Sequence, residues 1–139
     1  MKSKKKILLD IKQLCVSIAE NSKNKKLIKS VSFNIKKNEI VGLIGESGSG
    51  KSLTSLCILG LLEKKNFNIS GEIYFNQRNI INLQENEIMK IRGSEISMIF
   101  QEPMTALNPT MKIGEQLFEV FRSHENIDSK EISSRIEKL

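Results

Sequence analysis

Residues 45–52 read GESGSGKS, and the runs on either side of them restrict the fold more than any other feature. Ahead of the glycines, EIVGLIG at 39–45 is short, almost wholly apolar and flanked by polar residues, the pattern of a strand buried on both faces. Behind them, Leu53, Leu56, Cys57, Gly60 and Leu61 recur at helical spacing from Lys51 onward. A glycine-rich turn joining a buried strand to a helix predicts a β-loop-α unit at the centre of an α/β chain.

The turn itself matches G-x-x-x-x-G-K-[ST], and each fixed position has a chemical reason. Glycine at 45, 48 and 50 permits positive φ and leaves no Cβ in the way, so successive main-chain N–H groups can face one anion. The helix starting near Gly50 aims its N-terminus, with roughly half a positive charge, at the same point. Lys51 adds a full cation suited to β- and γ-phosphates, and the Ser52 hydroxyl is placed to ligate Mg²⁺. The predicted phosphate cup therefore comprises Gly45, Glu46, Ser47, Gly48, Ser49, Gly50, Lys51 and Ser52.

Other candidate chemistry is weaker. Cys15 and Cys57 stand alone, without a CxxC pair or a histidine at metal-ligand spacing, so neither a disulfide framework nor a zinc site is indicated and a reducing compartment fits best. Cys57 falls on the apolar face of the helix and reads as core. His124, the only histidine, lies in the polar stretch RSHENIDSK and reads as a solvated loop residue. KILLD at 6–10 looks superficially like an apolar strand ending in a metal-holding Asp10, but a plain strand end explains it.

The net charge of +6 is local: residues 1–37 hold eleven lysines against Asp10 and Glu20, whereas residues 38–139 hold eleven Lys/Arg against fourteen acids. Seven of those lysines sit in KSKKK and NSKNKK, a terminus and a turn without interleaved aromatics, which favours solubility and edge protection over nucleic-acid binding. The longest apolar run, LCILGLL at 56–62, is far short of the ~20 residues that span a bilayer. The basic head at the start precedes too short an apolar stretch for a signal peptide.

Along the chain, KILLDIKQLCVSI and LIKSVSFNI alternate as two strands of a hairpin around NSKNKK. ISGEIYFN is a third strand, NEIMKIR a short helix, and SEISMIF a further buried strand ending at Gln101-Glu102-Pro103. Two helices follow, one with Ile113, Leu117, Val120 and Phe121 on one face, the other opening at Asp128 with Glu131 in a capping-box spacing and carrying Ile132, Ile136 and Leu139.

EIVGLIGESGSGKSLTSLCILGLL together with EISMIFQEPMTALNPTMKIGEQL closely resembles the ATP-binding subunits of ABC transporters, in the branch serving peptide and nickel importers. The resemblance runs from about Leu8 to the last residue. It implies a P-loop NTPase (ABC ATPase) core with an N-terminal antiparallel β-subdomain and the start of a helical subdomain, all within one incomplete nucleotide-binding domain. The β-subdomain would start the chain at about 1–37, the P-loop core would occupy 38–101, and the helical subdomain would begin at 102–139. Lys51 and Gln101 would then be the catalytic residues, with Gln101 also touching Mg²⁺ beside Ser52 and orienting the attacking water.

The implied function is energising an importer of di- or oligopeptides or nickel by ATP binding and hydrolysis, as one of two ATP-binding subunits that dimerise against transmembrane permease subunits. A substrate-binding protein would take part indirectly, nucleic acid would not, and the subunit would lie peripherally on the cytoplasmic face of the membrane. Alternatives are a catalytically inactive nucleotide-binding fragment and a soluble non-transport ABC ATPase. Three departures qualify the match. Ile18 stands where the family usually has an adenine-stacking aromatic, and Asn76-Gln77 replaces the Asn-Gly of many relatives. Neither a signature motif nor a downstream Asp-Glu strand is present in the 139 residues, which leaves EIVGLIG without flanking strands and isolated hydrolysis in doubt.

Overall fold

The computed structural model describes residues 6–20, 23–102 and 106–139. The chain divides into two compact units, Met1–Met89 and Lys90–Leu139.

The first unit is built on the predicted hairpin. β1 (Ile7–Glu20) pairs antiparallel with β2 (Lys23–Lys36) on one side and with β3 (Phe67–Phe75) on the other, and β4 (Arg78–Asn79) adds to β3, giving the order β2-β1-β3-β4. Directly opposed residues share a face. Leu9 thus joins Ile35 and Phe75, Ile11 joins Phe33 and Ile73, and Val16 joins Ile28 and Ile69. Ile11, Leu14, Val16 and Ile73 are almost fully buried and form the centre of the core. Residues 1–5 and Asn21–Ser22 lie outside the described residues, whereas Lys23–Lys26, expected in the turn, belong to β2 because each pairs with β1.

A bulge interrupts the strands midway. The β1–β3 register slips by one residue between Lys12 and Cys15, where Gln13 takes φ 49°. Gly71 crosses opposite it at φ 99°, so close that a Cβ there would stand 2.5 Å from the Gln13 carbonyl oxygen. Only glycine meets both demands. Ser32 Oγ accepts from the Gln13 N–H at 2.8 Å and holds the bulge from the other side.

The β3–β4 connection is the two-residue loop Asn76-Gln77. Asn76 and Gln77 both have positive φ, 47° and 69°, as a two-residue type I′ loop requires, so the turn keeps that geometry although Gln77 stands where glycine is easiest. Asp10 lies well inside β1, not at a strand end, and its carboxylate is 3.6 Å from Lys12 Nζ.

α1 (Lys51–Ile58) forms as predicted, with Thr54 and Cys57 buried. Burial pushes the Cys57 thiol up to about 11. The amino end of α1 abuts β2, and the helix also touches the 3-10 turn Ile80–Asn82 that follows β4.

Two predicted strands are absent. Residues 39–45 have no strand pairing among the described residues, and Ile40 and Ile44 are almost entirely exposed. In SEISMIF only Ile96 makes a bridge, to Arg92, while Ile99 is exposed. Apolar composition asks for cover, but a strand exists only where a neighbouring backbone takes its N–H and C=O groups.

α2 (Glu85–Ile91) begins in the first unit and ends in the second. The second unit continues into α3 (Ile113–His124) and α4 (Ser129–Ile136). Asp128 caps α4 by accepting from the Glu131 N–H at 2.8 Å. Arg135 binds Glu125 and Glu131, each at 2.7 Å, tying the end of α3 to α4. Ile132 is buried, but the predicted α3 stripe is only partly covered: Leu117 and Phe121 are half-buried, whereas Ile113 and Val120 are exposed. Leu139 is exposed and lies past the end of α4. His124 is an exposed helix-end residue, not a loop residue, and its ring lies against Gly93.

Candidate functional site

The eight predicted cup residues are brought together at the amino end of α1. Gly48 and Gly50 take φ 78° and 94°, turning the chain so that Gly50 caps the helix in the left-handed region. Gly45 does not have positive φ. Its reason is proximity, since a Cβ there would stand 2.7 Å from Ser49 Oγ. A turn closes between them, with the Ser49 N–H donating to the Glu46 carbonyl at 3.2 Å.

Lys51 is the clasp of this loop. Its ammonium donates to the carbonyl oxygens of Gly45 and Glu46, both at 2.7 Å, and to Ser49 Oγ at 3.2 Å. The side chain therefore folds back across its own loop and places a full positive charge at the centre of the arch. Among the described residues, the main-chain N–H groups of Gly48, Gly50, Lys51 and Ser52 have no protein acceptor. Ser52 is exposed, and its hydroxyl likewise has no protein partner among those residues. Four amides, an ammonium and a hydroxyl on one short loop form a donor set suited to an anion with several oxygens.

Two supporting residues escape a sequence reading. Thr54 is buried, and its hydroxyl donates to the Gly50 carbonyl at 2.9 Å, pinning the cap. Its i+4 spacing from Gly50 was the available signal. Ile28 approaches the Gly50 Cβ position at 3.2 Å and seats the loop on the sheet, a contact that strand alternation alone does not reveal.

Gln101 belongs to the second unit, where it is exposed in a bend after residues 97–100, which have no regular secondary structure. Pro103, Met104 and Thr105 of the segment that carries the resemblance lie outside the described residues. Farther on, Gln116 fixes the LNPT stretch: its amide donates to the Asn108 and Met111 carbonyls at 3.0 and 2.8 Å and accepts from the Asn108 N–H at 3.0 Å.

The ABC transporter family profile matches residues 28–139. The chain belongs to the ABC transporter family. The oligopeptide transport ATP-binding protein OppD of Escherichia coli K12 is 44% identical over 124 residues, covering 89% of this chain and 36% of that protein. The oligopeptide transport ATP-binding protein AppD of Bacillus subtilis 168 is 49% identical over 113 residues, covering 81% and 34%. This chain thus spans about a third of the length of the curated relatives it matches. Among solved structures, the dimeric ABC transporter cassette MJ0796 superposes with a TM-score of 0.74 at 26% identity, covering 92% of this chain and 53% of that one. Its post-hydrolysis dimer bound to ADP and Pi gives 0.75 at 23% identity, covering 94% and 55%. The ABC cassette fold expected from the sequence is thereby established, with the antiparallel sheet and helices of its N-terminal part.

Proposed function

We propose that this chain supplies the nucleotide grip of an ATP-hydrolysing subunit that energises an importer of di- or oligopeptides or nickel. The observation that carries the reading is the Lys51 clasp with its unpaired amides, in a chain whose relatives at 44% and 49% identity are oligopeptide transport ATP-binding proteins.

The residues of the loop act on the phosphates in distinct ways. The N–H groups of Gly48, Gly50, Lys51 and Ser52 bind phosphate oxygens without first breaking a bond within the protein. Lys51, already held by two carbonyls, keeps its ammonium oriented and loses little side-chain freedom when an anion arrives. Mg²⁺, when bound, neutralises charge developing on the β- and γ-phosphate oxygens. Ser52, on the first turn of α1, is proposed to hold it, with Gln101 as its second protein ligand and as the group that orients the attacking water. Among the described residues no cluster of three or more His, Cys, Asp or Glu side chains could hold a metal.

Pairing with a second ATP-binding subunit and docking on permease subunits at the cytoplasmic membrane face complete the proposal. Among the described residues no helix is long and apolar enough to cross a membrane. Calorimetry with Mg-ATP, together with phosphate release, tests the grip. Lys51→Ala should weaken binding at least a hundredfold, and unchanged affinity would refute it. Binding without phosphate release from the wild type favours the nucleotide-binding fragment over the hydrolase.

A further inference from the structure

α3 touches the chain ahead of it near both of its ends. Near the amino end the Gln116 amide donates to the Asn108 and Met111 carbonyls at 3.0 and 2.8 Å and accepts from the Asn108 N–H at 3.0 Å. Its orientation is thereby locked, because turning the amide over would set its oxygen against two carbonyls. What it grips is itself a closed turn. The Met111 N–H donates to the Asn108 carbonyl at 3.2 Å, Pro109 presets the backbone at the second position, and Asn108 Oδ1 accepts from the Thr110 N–H at 3.0 Å. At the other end of α3 the His124 ring lies against Gly93, where a Cβ would stand 2.8 Å from Nε2. The first anchor carries three hydrogen bonds and the second is a packing contact.

Between these anchors the chain makes an excursion with Gln101 near its middle, eight residues after Gly93 and seven before Asn108. Fifteen residues could extend about 50 Å, yet Gln116 and His124 are only eight positions apart on α3, about 12 Å along its axis. Little else holds the bend at Gln101. Residues 97–100 have no regular secondary structure, and Ile99 and Phe100 are both exposed. A side chain carried on such a loop stands where the ends of the loop put it.

We infer that Gln116 is a positioning residue for Gln101: its clasp on Asn108 and Met111 fixes the returning end of the excursion and so limits where the Gln101 amide can stand. The inference rests on the Mg²⁺ role proposed above for Gln101. A neutral amide serves a cation only when its oxygen is delivered to one place, and the clasp removes in advance much of the freedom that binding would otherwise have to remove. Gln116 acts on no ligand itself.

Gln116→Met keeps the length of the side chain and loses all three bonds, and Gln116→Ala is the second variant. The chain has no tryptophan, so Phe100→Trp places a single indole beside Gln101. Gln116→Met should lower the indole anisotropy and weaken Mg-ATP about fivefold, while affinity for ATP in excess EDTA and the urea midpoint stay almost unchanged. Gln101→Ala should also weaken Mg-ATP, and adding Gln116→Met to it should change nothing more, because a residue that acts through Gln101 has no effect once that amide is gone. The inference is overturned, with the Gln101 reading intact, if Gln101→Ala weakens Mg-ATP while Gln116→Met leaves affinity or anisotropy unchanged. Additive losses in the double variant, equal losses with and without Mg²⁺, or failure of both Gln116 variants to fold would give the clasp another role and also overturn it. If the wild type binds no Mg-ATP, or Gln101→Ala leaves its affinity unchanged, the metal reading of Gln101 falls and takes the positioning role with it.

Discussion

The sheet core and the run at 39–45 are made of the same kinds of side chain and end in opposite surroundings. Leu14 and Ile73 are 0% exposed, whereas Ile44 is 95% exposed. What separates them is backbone: β1 has a ladder partner on each side, and residues 39–45 have none among the described residues. Apolar pattern therefore marks a demand for burial, while strand pairing decides where the demand is met. The loop between these contrasting neighbours and α1 is held differently again, by Lys51 and Thr54 rather than by a sheet.

The comparison breaks most sharply at Gly71. Alanine there must relieve a 2.5 Å approach to the Gln13 carbonyl and tolerate φ 99°, so the bulge that aligns β1 with β3 has to move. Gly71→Ala should cost about 4 kcal/mol in urea unfolding, or prevent folding. The same substitution at Gly42, where an added Cβ meets nothing within 4 Å, should cost less than about 1 kcal/mol. Similar losses at both positions would show that the bulge is not what sets the sheet's register.

The bulge also marks where sequence reading ran out. The hairpin, α1, the third strand, the three later helices and the Asp128 cap were all legible, because alternation, helical spacing and capping residues act over a few positions. The phosphate loop was legible for the same reason: its eight residues are contiguous. The role of Gly45 was not, since the Ser49 hydroxyl that excludes a Cβ is visible only in three dimensions. The opposition of Ile18 and Phe67, forty-nine positions apart, depends on a one-residue slip at Gln13 that no local pattern announces. EIVGLIG and SEISMIF misled because a continuous apolar run reports hydrophobicity and carries no information about its pairing partner.

A paired truncation sharpens the contrast at single residues. Leu14→Ala removes a fully buried side chain between β2 and β3 and should cost about 3 kcal/mol. Ile44→Ala removes the same class of side chain from solvent and should change stability by less than about 0.5 kcal/mol. Denaturant midpoints measured side by side check this. Comparable losses would mean that residues 39–45 are covered in solution.

A smaller effect tests whether α1 truly seals against water, in contrast to the run that precedes it. Desolvation raises the Cys57 thiol to about 11, from an unfolded value near 9, because the buried site disfavours the thiolate. Well below pH 9 the thiol is protonated in both states and contributes no pH dependence. Between pH 9 and 11 the unfolded chain loses its proton first, the native state binds more protons, and stability falls as pH rises. Wild type should therefore lose on the order of 2 kcal/mol relative to Cys57→Ala between pH 8.5 and 11. Taking the difference against the variant cancels every group that the two proteins share. A flat difference would mean that water reaches Cys57 and that α1 covers its part of the sheet no better than residues 39–45 are covered themselves.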